Sequence, residues 1–183
     1  MHLPKQLLPI KKKNLLQYSI DQALASKGAA VYVVLGARAD RVRDAIRTSN
    51  IVVVTNEHWL EGMGTSIRAG IAALPGTVDA AIISLCDQPF LTSSLFDNLI
   101  DTHVSSGRSI VACEYDGSPG VPALFARKHF EELRFLQGDS GAKKIILDHR
   151  QDAAVIQFPK GSVDLDTAED YQNFIRNTFK ISF

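Results

Sequence analysis

The sequence predicts an α/β fold in which a parallel sheet is covered by helices on both faces. Apolar, β-branched runs alternate along the chain with segments of helical periodicity, and this alternation favours right-handed crossover connections. The run over residues 80–85 is apolar without a polar face, which is typical of a strand buried on both sides. With 183 residues, 45% of them hydrophobic, the chain is expected to form one domain over residues 1–183.

Six segments have the composition of strands. They cover residues 30–36, 51–54, 80–88, 109–113, 123–125 and 153–158, the fifth being either a short strand or a bend. Pro89 cannot donate to a strand ladder, so the third strand should end by Gln88 and leave Asp87 at its carboxyl end. Ligands of open α/β sheets bind at that edge. The alternative is that Asp87 only caps the following turn.

The helices are predicted from apolar spacing and from capping residues. They cover residues 15–27, 39–48, the segment from about 67, residues 92–106, 127–135 and 142–148, and a terminal helix after residue 167. Asn14 and Gly28 suit the two ends of the first helix, and Gly107 suits the end of the fourth. Asp166 or Thr167 can cap the terminal helix. The segment 116–122 is rich in turn residues and predicts a turn.

Composition excludes several classes of function. The formal net charge is zero, so we expect no nucleic-acid partner and no membrane partner. No apolar stretch is long enough to span a bilayer, and the two cysteines, Cys86 and Cys113, lie in apolar runs typical of buried thiols. We therefore expect a cytoplasmic protein without a disulfide or a zinc site. The five histidines are scattered, so solvated or packed roles are expected for them.

Several polar loops can meet at one edge of a parallel sheet. The glycine loop over residues 62–66 precedes a helix, whose free amides suit an anion, although Thr65 or Ser66 can equally well be ordinary caps. Asp87, Asp164 and Asp166 follow predicted strands, and carboxylates without cysteine or histidine suit magnesium. Lys5 would complement the phosphates of a substrate. Such a set fits phosphoryl or nucleotidyl transfer, in which the protein mainly positions groups and neutralises charge.

Six motifs together resemble a known family. They lie at residues 3–8, 62–67, 86–89, 117–122, 138–142 and 164–171, and they read LPKQLL, GMGTSI, CDQP, GSPGVP, GDSGA and DLDTAEDY. In order and spacing the set is similar to the molybdenum cofactor cytidylyltransferase and molybdopterin-guanine dinucleotide synthase-like nucleotidyltransferases. The resemblance implies a Rossmann-like three-layer α/β/α sandwich with a mostly parallel sheet. It also implies magnesium-dependent transfer of CMP or GMP from CTP or GTP to a molybdopterin-type acceptor, with release of pyrophosphate.

The resemblance also implies a role for each matching residue. By position, Lys5 and Asp87 would be catalytic, Lys5 on the phosphates and Asp87 on the metal. The implied nucleotide-binding residues are Lys5, Gly62, Met63 and Ser66, and the implied acceptor-binding residues are Gly120, Pro122, Gly138, Asp139 and Gly141. Asp164 or Asp166 would be a second metal contact or only a helix cap. A molybdoenzyme is a candidate partner.

The sequence departs from the family at its amino terminus. Family members begin with a strand and a glycine-rich loop before the Pro-Lys pair, whereas this chain starts at Met1 with His2 in place of the last glycine. The first strand and the phosphate loop are therefore absent from these residues, and their absence is expected to leave two unpaired strand edges unless another segment fills the position. Two alternatives follow: a non-catalytic accessory protein that binds or matures the cofactor, and a nucleotidyltransferase acting on a sugar phosphate or another small phosphorylated alcohol.

Overall fold

The computed structural model describes residues 4–179. Eight strands and seven α-helices are assigned in this range. The strands are β1 (Pro9–Ile10), β2 (Lys13–Asn14), β3 (Tyr32–Leu35), β4 (Val52–Thr55), β5 (Ala80–Ile83), β6 (Ile110–Tyr115), β7 (Ser118–Ala126) and β8 (Ala153–Gln157). The helices are α1 (Leu15–Leu24), α2 (Ala39–Arg43), α3 (Met63–Ala72), α4 (Ser93–Ser106), α5 (Phe130–Arg134), α6 (Ala142–Asp148) and α7 (Ala168–Phe179). None of the described helices is long and apolar enough to cross a membrane.

The main sheet has the order β5-β7-β6-β8, and only β7 runs against its neighbours. A second, parallel pair is formed by β3 and β4, and a short antiparallel hairpin by β1 and β2. Apolar clusters cover both faces of the main sheet, with α3, α5 and α6 on one face and α4 on the other. The Rossmann-like α/β class predicted from the sequence is therefore confirmed.

The β3-β4 pair continues the layer of the main sheet, because the same two helices cover both parts. On one face, α1 packs Leu16 and Ile20 on the β3 cluster and Ala23 on the cluster of the main sheet. On the other face, α3 brings Gly70 against Val34 of β3 and Ile71 into the core of the main sheet. Within residues 4–179, β3 pairs only with β4, and β5 only with β7. The layer is thus interrupted between β3 and β5, as expected from the departure at the amino terminus.

The strand leading to Asp87 is shorter than predicted. It ends at Ile83 instead of reaching Gln88, so Asp87 lies in a loop four residues beyond it. Ile83 is opposite Ala123 of β7, and the next residue of β7 in that direction is Pro122. Proline has no N–H, so the ladder cannot continue with the same pattern of hydrogen bonds.

Two further predictions were wrong in their bounds. The predicted helix over residues 39–48 is α-helical only to Arg43, because the amide of Arg47 donates to the side chain of Gln17 (2.7 Å) and not to a helical carbonyl. The predicted turn over residues 116–122 is largely strand, since β7 begins at Ser118. A register shift opposite Ala112 and Cys113 accommodates its glycine and prolines.

Candidate active site

The centre of the candidate site is the ammonium group of Lys5, which bridges two carboxylates from distant parts of the chain. Its Nζ donates to Asp87 Oδ2 and to Asp166 Oδ1, each at 2.6 Å. Burial by itself lowers the pKa of Lys5, but the hydrogen bonds to Asp166 and Asp87 outweigh it and raise the pKa. The lysine therefore stays charged at the point where the carboxylates converge.

A buried leucine brings Asp164 and Asp166 to this point. Leu165 is fully buried in a cluster with Ile10 and Phe174, and its amide donates to the carbonyl of Asp87 (3.1 Å). Both flanking aspartates are exposed. The buried leucine thus anchors the segment against the Asp87 loop, with one carboxylate on each side.

Of the two predicted caps for α7, the structure uses Thr167. The amide of Thr167 donates to Asp170 Oδ2 (2.8 Å), and the amide of Asp170 donates to Thr167 Oγ1 (3.1 Å), as in a reciprocal capping box. Asp166 is thereby left for the ion pair with Lys5.

One carboxylate oxygen of the site has no hydrogen-bond partner among the described residues. Asp87 is 8% exposed, and within the described residues its Oδ1 is buried without a hydrogen-bond partner. Burial raises the pKa of Asp164, and the charges of Asp87 and Asp166 raise it further. Unpartnered buried oxygens and crowded carboxylates are costly unless a cation satisfies them. Oxygen ligands of this kind suit magnesium or manganese, so Asp87, with Asp164 or Asp166, could hold a divalent ion.

Cys86, the neighbour of Asp87, takes no part in this chemistry. Burial raises the pKa of its thiol to about 12, and the charge of Asp87 adds to the effect. The sulfur is therefore a protonated, inert group at neutral pH.

Gln88 connects the Asp87 loop to one of the predicted acceptor segments. Its Nε2 donates to the carbonyls of Val121 (3.2 Å) and Gly161 (2.9 Å). The hydroxyl of Tyr115 donates to the same Val121 carbonyl (3.0 Å), and a Cβ on Gly120 would lie 2.4 Å from that hydroxyl. The Val121–Pro122 peptide is cis. Gly120 and Pro122 are thus held beside the turn that carries Asp87.

The first predicted glycine loop is largely helix, because α3 begins at Met63 with Gly62 as its N-cap. This helix start packs directly on the second predicted glycine loop. Gly62 has φ +112°, and a Cβ there would lie 2.3 Å from the carbonyl carbon of Gly138. The amide of Gly64 donates to the Gly138 carbonyl (2.9 Å), and the end of the Met63 side chain lies 3.8 Å from where a Cβ of Gly141 would be. A side chain at residue 62 would separate the loops, which explains the glycine in physical terms.

The sequence reasoning missed Asn56, which organises the first glycine loop. Its Nδ2 donates to Thr65 Oγ1 (2.8 Å) and to Ser66 Oγ (3.0 Å), and the Thr65 hydroxyl donates in turn to the carbonyl of Gly62 (2.8 Å). Asn56 is buried and directly follows β4. The rule that selected Asp87, a polar residue just after a buried strand, would also have found it.

The glycine loops and the Asp87 loop are joined through the core. Ile67, one turn into α3, packs on the same apolar cluster as Ile83, the last residue of β5, and Val121 of the acceptor segment. The structure therefore joins Lys5, Asp87 and Asp166 directly and brings Asp164 close enough for their charges to affect it. A neighbouring wall is formed by Gly62, Met63, Ser66, Gly138, Asp139 and Gly141, and among residues 4–179 no hydrogen bond or ion pair joins it to Asp87.

The fold and the site of this chain are those of the class of Rossmann-like nucleotidyltransferases. The family model of the MobA-like NTP transferase domain matches residues 1–154. The chain therefore belongs to the MobA-like NTP transferase family.

Known proteins agree with this assignment. The chain is 32% identical over 118 residues to nicotine blue oxidoreductase from Paenarthrobacter nicotinovorans, a match covering 64% of this chain and 57% of that protein. It is 27% identical over 150 residues to the bifunctional protein GlmU from Clostridium acetobutylicum, covering 81% of this chain and 30% of that one. Among solved structures, Rv0371c from Mycobacterium tuberculosis H37Rv in complex with manganese is 28% identical, with a TM-score of 0.82 over 96% of this chain and 92% of that chain. The chain thus spans less than two thirds of the first two relatives.

Proposed function

We propose that the protein transfers a nucleoside monophosphate from CTP or GTP to a molybdopterin-type acceptor in the cytoplasm, with release of pyrophosphate. The observation that carries this proposal is the convergence of Asp87, Asp166 and the Lys5 ammonium, together with the unpartnered Oδ1 of Asp87. An ammonium and a carboxylate site for a divalent ion are what a nucleotidyl transfer needs from a protein.

In this proposal each residue has one task. Asp87 and Asp164 hold a magnesium ion, which supplies charge neutralisation for the triphosphate when bound. Asp164 is preferred over Asp166 as the second ligand because it has no ion pair with Lys5 to break, so that only the pair between Lys5 and Asp87 must open for the metal to bind. Lys5 leaves the carboxylates and donates to the triphosphate. The loop at Gly62, Met63 and Ser66 lines the nucleotide base.

The acceptor is assigned to two further segments of the site. Gly120 and Pro122 lie beside the Asp87 turn, while Gly138, Asp139 and Gly141 belong to the loop that packs on Gly62. Backbone groups of these segments would bind the phosphorylated acceptor close to the metal. A molybdoenzyme is proposed as the partner that receives the product. The motif set supports molybdopterin over other phosphorylated acceptors.

One experiment tests the proposal. The protein is incubated with magnesium and with CTP or GTP, either with molybdopterin, with a panel of sugar phosphates, or without an acceptor, and pyrophosphate is measured. The proposal predicts release only with molybdopterin and with one triphosphate preferred. Pyrophosphate release only with a sugar phosphate would mean that the acceptor is a sugar phosphate and not molybdopterin. No release with any acceptor would contradict catalysis.

A second candidate function is nucleotide or pterin binding without turnover. The interruption of the layer between β3 and β5 favours it, because within residues 4–179 no strand there supplies the backbone amides of a phosphate loop. Binding of CTP, GTP or molybdopterin in calorimetry, combined with no pyrophosphate release, would support this candidate.

A further inference from the structure

A cluster of two histidines and one glutamate lies outside the candidate active site. One ring nitrogen each of His129 and His149 and one carboxylate oxygen of Glu132 lie within 4.8 Å of one another. His149 Nε2 is 2.7 Å from Glu132 Oε2, and the two imidazole rings meet edge to face with their centroids 4.7 Å apart. Only His129 and Glu132 are close in sequence, so the sequence pattern alone does not place His149, at the end of α6, beside them.

The cluster is at the opposite end of the sheet from Asp87. His129 follows β7, whose last residue, Ala126, is opposite Ala80 at the start of β5. Asp87 lies beyond Ile83, at the other end of the same strand. An ion bound by the histidines would therefore be separate from the ion proposed at Asp87.

Hydrogen bonds determine which nitrogen of His129 is available. Lys128 and Ser109 both donate to Asp152 Oδ2, at 2.5 and 2.6 Å, and they hold the pKa of Asp152 below its usual range. Since the Ser109 hydroxyl gives its proton to this carboxylate, its oxygen must accept from His129 Nε2, 2.7 Å away. His129 Nε2 therefore carries the proton, and Nδ1 of the neutral ring keeps a free lone pair.

The same bonds provide the support that metal-binding histidines usually have. A ligating histidine generally donates its other ring N–H to a fixed acceptor, which sets the tautomer and the orientation of the ring. His129 is 4% exposed and bonded in this way to the buried Ser109.

We propose that His129, Glu132 and His149 bind a zinc ion that joins the start of α5 to the end of α6. Two imidazoles and one carboxylate are a known zinc ligand set that leaves a fourth position for water. Ligand atoms at about 2.0–2.2 Å from one zinc ion lie about 3.3 Å apart. The three ligand atoms of the cluster must therefore move slightly closer together to bind zinc. The side chains of His149 and Glu132 are 39% and 41% exposed, which allows them to rotate toward the ion and keeps the water position open.

Zinc at this position would act on the second glycine loop. The loop over residues 137–141 connects α5 to α6 and packs on Gly62 and Gly64. Tying His129 to His149 fixes the two ends of this helix-loop-helix unit. The zinc ion therefore has a structural role, because it holds together the two ends of the unit that contains the loop.

The test is a calorimetric titration of tag-free, chelator-treated protein with zinc chloride, with millimolar magnesium present to occupy the Asp87 region. We expect one equivalent of zinc to bind with a dissociation constant of about 1 μM or lower. Glu132→Gln and His149→Ala change half-exposed residues and should each weaken binding by at least about tenfold. His58→Ala is the matched control, because His58 forms the same kind of pair with Glu61 (2.8 Å) but has no third ligand among residues 4–179. It should leave zinc binding unchanged.

Cobalt provides a second readout that does not depend on protein stability. Cobalt bound by two imidazoles, a carboxylate and water should show visible absorption typical of low coordination, and Glu132→Gln should remove it. The proposal is overturned if wild-type protein shows no saturable zinc binding, or if Glu132→Gln and His149→Ala bind zinc as tightly as wild type.

Discussion

Lys5 and the three aspartates around it form a charge cluster whose balance depends on the cation present. Without a divalent ion, the ammonium of Lys5 lies 2.6 Å from both Asp87 and Asp166 and takes the place of a metal. The remaining oxygen of Asp87 is left unpartnered. A divalent ion and a triphosphate together would give each of these groups a partner, because the carboxylates would bind the ion and the ammonium group of Lys5 would donate to the phosphates.

Asp87→Asn should abolish metal-dependent turnover and leave the fold intact. The amide is nearly isosteric but cannot neutralise a divalent ion, so we expect pyrophosphate release to fall by at least about a hundredfold. Circular dichroism and the melting temperature should stay near those of wild type. Retained magnesium-dependent release would show that the metal does not bind at Asp87.

Lys5→Met should separate triphosphate binding from metal binding. Loss of the ammonium should weaken CTP or GTP binding by about tenfold, while magnesium alone binds more tightly because it no longer competes with the lysine. Calorimetry measures both affinities, and Lys12→Met, an exposed lysine of the β1-β2 connection, is the control. Unchanged triphosphate affinity would mean that Lys5 is only an ion-pair partner.

The raised pKa of Asp164 predicts how metal affinity changes with pH. In the metal-free protein the protonated form is favoured, so its contribution to stability is present below pH 3.8 and is lost as pH rises through the raised pKa. A divalent ion favours the ionised form. Manganese affinity should therefore fall as pH drops through the raised pKa of Asp164.

Electron paramagnetic resonance of free manganese can follow this pH dependence. Asp164→Asn should weaken binding and flatten the dependence in that range, whereas Asp166→Asn should keep it. The opposite pattern would make Asp166 the second ligand.

At the scale of elements, three predicted caps were readable from the sequence. Asn14 accepts from the amide of Gln17, Thr92 accepts from Leu95, and Gly107 ends α4 with φ +67°. These features depend on neighbours within four residues. The predicted cap Gly28 was wrong, because α1 ends at Leu24 with Ala25 as its C-cap, and the predicted turn over residues 116–122 is largely strand. The lengths of β5 and α2 were wrong because they depend on Pro122 of β7 and on the side chain of Gln17, which are distant in sequence.

Gly62→Ala tests the contact between the two glycine loops. A methyl group there would meet the backbone of Gly138 at 2.3 Å, at a φ that side chains rarely adopt. We expect a loss of at least about 2 kcal/mol in unfolding free energy and weaker triphosphate binding, measured by urea denaturation and calorimetry. Gly76→Ala has nothing within 4 Å of the added carbon and should change neither. Equal effects of the two substitutions would refute a specific role for the loop contact.

At the scale of the whole molecule, the described residues form a layer of strands that is interrupted between β3 and β5, beside the proposed catalytic loop. The family resemblance indicated this interruption, since it places a first strand and a glycine-rich loop before the Pro-Lys pair. The structure brings Lys5, Asp87 and Asp166 together, while their catalytic and metal-binding roles stay predictions. The histidine cluster was missed because it depends on tertiary contacts between side chains. Asn56 was missed although its position directly after β4 follows the same rule that selected Asp87.

Hydrogen exchange should reveal the interruption directly. β6 and β7 are each paired on both sides, whereas β3 and β5 have one described partner each. We expect amides of β3 and β5 to exchange about a hundredfold faster than those of β6 and β7. Equal protection in all four strands would mean that the edges between β3 and β5 are covered.

The most direct test of the central claim is a crystal of the protein soaked with manganese and CTP, with the metal located by its anomalous scattering. The account predicts an anomalous peak about 2.2 Å from Asp87 Oδ1 and within reach of Asp164, with the Lys5 ammonium moved from the carboxylates to a phosphate oxygen. A peak remote from Asp87, or a Lys5 still paired with Asp87 and Asp166 beside bound CTP, would contradict it.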